Sequence, residues 1–168
     1  MNTTKAVTLT IGGIIAIAIM LTIIQLLLRK VKLQAEAEFK IKPAYGIWFA
    51  SLFIAASLVS AKAVTFLGEA IDNLYKIGSP NMITETAKIA SLYIGLSVVW
   101  FLLWYFVSKV FATIILGLKK EQEEMSLNNV HFFLIKGTII NAFIFSLSPV
   151  LDVIFRMVMP NIQLPFYH

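Results

Sequence analysis

Ala6 to Leu28 runs 23 residues without a charge, and at 1.5 Å per residue such a helix spans the roughly 30 Å of a bilayer's hydrocarbon. Three further apolar stretches follow: Ala44 to Gly68 after Pro43, Ile89 to Leu118, and Val130 to Phe155. A chain that is 59% hydrophobic and 14% charged, with a mean hydropathy of +0.85, is far more apolar than a soluble domain, where charged residues make up roughly 25%. The expected fold is all-α: a polytopic membrane protein of four transmembrane helices in a single membrane domain over 1–168.

The first apolar run is too long for a signal peptide. Only Lys5 precedes it closely, and Arg29-Lys30-Val31-Lys32 stands where small cleavage-site residues would be. Positive charge after the helix favours an uncleaved anchor with its N-terminus outside. The polar stretch Arg29 to Lys42 reads as a solvated hairpin with snorkelling lysines, or as an interfacial amphipathic turn. Lys119 to Asn129 forms the second charged hairpin, whereas Leu74 to Thr86, with its Gly78-Ser79-Pro80-Asn81 turn and Thr84 as N-cap, carries less positive charge. Both charged hairpins are therefore expected in the cytoplasm, giving N-out and C-out. Pro160 and Pro165 end helical structure, and the tail 159–168 is expected along the outer interface.

In the second segment, Tyr45 and Trp48 fit an interfacial aromatic belt. Gly46, Ala50, Ser57, Ala61 and Gly68 fall on one narrow helical stripe, which lets another helix approach closely. Trp100, Trp104 and Tyr105 lie mid-way along the third segment, which suits packing between helices or subunits or, failing that, an aromatic-lined pocket.

The halves also align. Glu38-Phe39-Lys40-Ile41-Lys42-Pro43-Ala44 set against Glu124-Met125-Ser126-Leu127-Asn128-Asn129-Val130 brings a charged hairpin, a glutamate, an apolar residue and a polar step into register before each membrane helix. The chain reads as two copies of a two-helix hairpin, about 5–75 and 84–158, both crossing in the same sense as parallel repeats. On these residues it resembles the YjfL-like domain-of-unknown-function family of small bacterial inner-membrane proteins, built of two tandem two-helix units. In that family an acidic residue and an asparagine-containing step precede each second helix, as in Glu124 to Asn129; the first copy has Lys42-Pro43 there instead. The resemblance implies a bacterial inner-membrane four-helix protein working with membrane-scaffold partners, and no particular activity.

Charged and polar residues inside the apolar runs are the candidates for function, because each costs on the order of 3 kcal/mol at the bilayer centre unless it faces protein or water. Lys109 and Lys136 lie near the hairpin ends, where they can snorkel. Asp152 and Arg156, four apart, can pair on one helix face. Under the repeat register Lys62 matches Ser148, which puts it near the depth of Asp152 and Glu69. Pro149 removes a helical hydrogen bond to Phe145. Lys62, Asn141, Ser146, Ser148 and Asp152 thus form a candidate ion or substrate path, with a Lys62–Asp152 ion pair as the structural alternative.

No cysteine is present, and His131 and His168 sit at opposite ends of the last helix, so they cannot share a metal within one subunit. No P-loop or HExxH motif occurs, and no histidine stands beside a carboxylate. The charge of +5 reports loop placement, without the aromatic-interleaved basic stripe that would suit nucleic acid. The expectation is a non-enzymatic membrane subunit with no cofactor. It would assemble through its helix faces as a homo-oligomer or in a larger complex; a small channel or transporter ranks second and a membrane-embedded enzyme third.

Overall fold

A computed structural model describes residues 3–37, 40–78 and 80–160. The end of the tail, 161–168, with His168, and the Glu38-Phe39 pair that opens the repeat alignment lie outside the described residues. The fold is helical: α1 (Thr3–Ala35), α2 (Pro43–Ile77), α3 (Met82–Leu116), a short α4 (Glu121–Ser126), α5 (Val130–Ser146) and α6 (Ser148–Met157). A two-residue antiparallel bridge between β1 (Glu36–Ala37) and β2 (Lys40–Ile41) closes the first charged hairpin.

α1, α2 and α3, of 33, 35 and 35 residues, are each long and apolar enough to cross a membrane; α5 and α6 together make a fourth candidate span bent by 45°. Ser146, Leu147 and Ser148 form the break, and Pro149 lies in the first turn of α6, where its missing N–H costs nothing. Gly78, at φ 70°, turns the chain out of α2, its N–H meeting the carbonyls of Leu74 and Tyr75. α3 starts earlier than its sequence suggests: Asn81, not Thr84, occupies the N-cap position.

α2 is the central helix, in contact with α1, α3 and α5. Its buried face carries Ala44, Trp48, Leu52, Ala55, Ala56, Val59, Ala63, Phe66, Leu67 and Ala70, where the alanines let neighbouring backbones come close. α1 presents the ridge Ala16, Met20, Ile24, Leu28, Val31, Ala35, and α3 presents Tyr93, Ser97, Phe101, Tyr105, Ser108, Ala112. Both ridges follow the same 4-4-4-3-4 spacing, so each helix turns one straight seam towards α2. The outward faces are apolar as well, with Ile14, Leu26, Ile114 and Phe145 all exposed, the pattern of helices whose solvent is lipid.

Two expectations are corrected by this packing. Trp48 is no interfacial belt residue: it is fully buried between α2, α3 and α5, with Phe133 and Tyr105 ring centroids 6.1 and 6.4 Å away. Lys136 does not snorkel; it is 2% exposed and turned into the same cluster.

Candidate functional site

α2 and α5 run side by side in the same direction, and a series of polar contacts marks their seam. At the hairpin end, Lys42 Nζ donates to the carbonyls of Ser126 (2.9 Å) and Met125 (3.4 Å), and the Ala44 N–H donates to Asn128 Oδ1 at 3.1 Å. The opening turn of α2 has free N–H groups that its own residues do not cap; an asparagine from the second half supplies one acceptor. Asn128 reaches it from φ 51°, a left-handed conformation that asparagine tolerates better than most residues. The adjacent Asn129 caps α5, accepting from the Phe132 N–H at 3.1 Å, and donates Nδ2 to Glu124 at 2.5 Å. Lys119 stands 3.3 Å from the other oxygen of Glu124.

One turn deeper, α4 aims Glu121 beneath the bundle. Its Oε1 lies 2.5 Å from the buried ammonium of Lys136 and 3.5 Å from Lys109. The Lys136 ammonium also sits 4.5 Å from the centroid of the Trp48 ring, a cation–π contact that desolvation strengthens. This Glu121–Lys136–Trp48 centre escaped sequence reasoning. The usable signal was that Lys136 has only Phe132, Phe133, Ile139 and Ile140 at its i±3 and i±4 positions, so an acid had to come from elsewhere.

Next along the seam, Gly137 of α5 meets Ser51 of α2: a Cβ added to Gly137 would collide with the Ser51 Oγ and Cβ. Asn141 then bridges the helices, its Nδ2 donating to the carbonyls of Ser51 (3.1 Å) and Gly137 (2.9 Å). Beyond the bend, Lys62 Nζ pairs with Asp152 Oδ2 at 2.7 Å, both side chains about one-third exposed. Arg156 does not pair with Asp152; its guanidinium lies 5.4 Å from the Phe66 ring, beside the cluster of Phe66, Tyr93 and Phe155. At the Gly78 end, Lys5 of α1 holds Asp72 of α2 at 2.6 Å.

The five path candidates therefore divide. Lys62 and Ser148 line a groove of about 360 Å³ beside Pro149 and Phe145, and Asp152 is bonded to Lys62 at its edge. Asn141 belongs to the Ser51–Gly137 crossing, and Ser146 is exposed at the break. Of the small-residue stripe, Gly68 is buried against Leu9, whereas Gly46, Ala50 and Ala61 are exposed and Ser57 half-buried. Inside the chain that stripe carries little packing because α2's alanine-rich face does it. Among the described residues no three histidine, aspartate or glutamate side chains gather as metal ligands. No protein-family model, curated protein or solved structure matches the chain.

Proposed function

We propose that this chain is a non-enzymatic integral membrane subunit that assembles through its helix faces, as a homo-oligomer or within a larger membrane complex. The observation that carries this reading is the outward stripe Gly46, Ala50 and Ala61 on α2, where, outside its own helix turn, no atom of the described residues comes within 4 Å of a Cβ placed on Gly46. Small residues that no helix of the same chain covers suit close approach by another helix in lipid. The internal charges meanwhile are matched to one another at Lys62–Asp152, Lys136–Glu121 and Lys5–Asp72, which suits a frame more than a reaction centre.

In this reading α5 and α6 make one bent span, giving four, and the two hairpins are parallel repeats. The Ser51–Gly137 contact supports that, because these positions are equivalent under the Glu38/Glu124 alignment. Arg29, Lys30, Lys32, Lys119 and Lys120 gather at the hairpin end and favour N-out and C-out in a bacterial inner membrane; membership of the YjfL-like family belongs to the same proposal. The test is native mass spectrometry after gentle detergent extraction. The wild type should leave the membrane as an oligomer or with a retained partner, and Gly46→Leu with Ala50→Leu should dissociate it; a wild-type monomer without partner overturns the reading.

A second reading, a small channel or transporter, rests on two oxygens. Asn141 Oδ1 and Asp152 Oδ1 are buried and accept no hydrogen bond from the described residues, which leaves lone pairs for a cation or a proton on either side of the Ser146–Ser148 break. Ion flux in liposomes that is abolished by Asp152→Asn supports it, and no flux by the wild type removes it.

A further inference from the structure

The charges around Glu121 and Glu124 also reach the other side of the bundle. α1 and α3 both lean on α2 and touch each other only sparsely, so a furrow runs between them. At the hairpin end it forms a cavity of about 390 Å³, with Lys30, Lys109, Lys119, Lys120 and the carboxylate of Glu121 around it and Leu27 and Val31 in its wall. Three of the four lysines have carboxylates nearby: Lys109 lies 3.5 Å from Glu121, Lys119 3.3 Å from Glu124 and Lys120 3.2 Å from Glu123. Lys30 has no carboxylate within 4 Å among the described residues. Glu121 is shared with the buried Lys136, so five lysines face three glutamates and the furrow keeps a formal excess of two positive charges.

At the opposite end the cavity between α1 and α3, about 440 Å³, has Lys5 as its one charged lining residue, and that lysine is held by Asp72. Next to the hairpin end the outer surfaces of α1 and α3 are apolar, with Leu26, Ile114 and Ile115 exposed. A site with cations at one end and lipid-facing hydrocarbon along its length matches an amphiphile, and basic pockets between membrane helices on the cytoplasmic side are suited to anionic headgroups. A free phosphate would use the lysines but leave the apolar walls without purpose.

We propose that this furrow binds an anionic phospholipid, its headgroup phosphate held by Lys30, Lys109, Lys119 and Lys120 and its acyl chains lying along α1 and α3. The lysines are flexible donors on long stems, able to close on a phosphate while the stems cover apolar surface. Glu121 and Glu124 hold Lys109 and Lys119 at the rim in the absence of lipid.

The full chain in neutral detergent, incubated with phosphatidylglycerol or with phosphatidylcholine of the same acyl chains, tests this by native mass spectrometry. The wild type should retain phosphatidylglycerol about tenfold better than phosphatidylcholine, and Lys30→Ala with Lys120→Ala should remove that preference. Lys30→Arg with Lys120→Arg should keep it, as should Lys76→Ala with Lys88→Ala at the opposite end; millimolar inorganic phosphate should not displace the lipid. Equal retention of the two lipids by the wild type, unchanged preference in the double alanine variant, or equal loss in the arginine variant overturns the proposal. Displacement by phosphate overturns the lipid as occupant in favour of a soluble anion.

Discussion

Ser51 of α2 and Gly137 of α5 touch so closely that position 137 has room for a hydrogen and nothing more. Around this point the two helices cross, with Asn141 bonded to both backbones. Gly137→Ala should therefore destabilise the bundle by about 1–3 kcal/mol through overpacking, read as a lower melting temperature in detergent. Ser51→Gly in the same chain should restore most of the loss, because the collision is with the serine side chain. Equal melting of Gly137→Ala and the wild type would refute the contact.

The buried pair should respond asymmetrically. Glu121→Ala leaves the 2%-exposed Lys136 without its close counter-ion and is expected to cost about 3–5 kcal/mol. Lys136→Met leaves Glu121 with Lys109, 3.5 Å away and half-exposed, and should cost less. Combining Glu121→Ala with Lys136→Met should be milder than Glu121→Ala alone, a non-additivity that a double-mutant cycle of unfolding measurements would detect.

Lys62 and Asp152 lie on spans whose outer faces are apolar, so lipid covers the exposed third of each side chain; breaking the pair should cost on the order of 3 kcal/mol, and keeping the charges matched on the order of 0–1 kcal/mol. Exchanging the two, Lys62→Asp with Asp152→Lys, should keep the bundle within that range in the same thermal assay. A loss on exchange as large as that of Glu121→Ala would refute this.

Because the chain has no cysteine, the bend between α5 and α6 can be followed by crosslinking. Lys62→Cys with Asp152→Cys should be joined readily by a short bifunctional thiol crosslinker, which takes the place of the lysine and aspartate stems that bridge the two helices. Adding Pro149→Ala removes the residue that keeps the two helices from continuing as one and is expected to lower the crosslinking yield as α6 straightens away from Lys62. An unchanged yield would place the origin of the 45° bend in Ser146 and Ser148.

Much of this fold could be read from composition and periodicity. Apolar runs of bilayer length specify helices whatever their partners, so the long elements and the hairpins between them were legible. The Lys62–Asp152 pairing was legible too, because equal depth on two parallel helices follows from aligning the halves. Trp48 and Lys136 were not. Their positions near helix ends matched the general habits of belt tryptophans and snorkelling lysines; the packing of Tyr105 and Phe133 on Trp48 reverses the first, and α4, which carries Glu121 to Lys136, reverses the second. A six-residue helix with three glutamates and one apolar residue has no apolar stripe to announce that it packs. The stripe on α2 divides: Gly68 packs against Leu9 of α1, whereas Gly46, Ala50 and Ala61 face outward and the alanine face meets the neighbours within the chain.

The positions of the two charge pairs along the chain also order its biogenesis. Glu121 emerges from the ribosome 15 residues ahead of Lys136, so α5 can enter the lipid with its lysine already accompanied by an acid. Lys62 has no such escort: its aspartate lies 90 residues downstream. If the helices insert in chain order, Lys62 on the central helix stays without this partner from the insertion of α2 until α6 is made, and the last helix supplies the carboxylate.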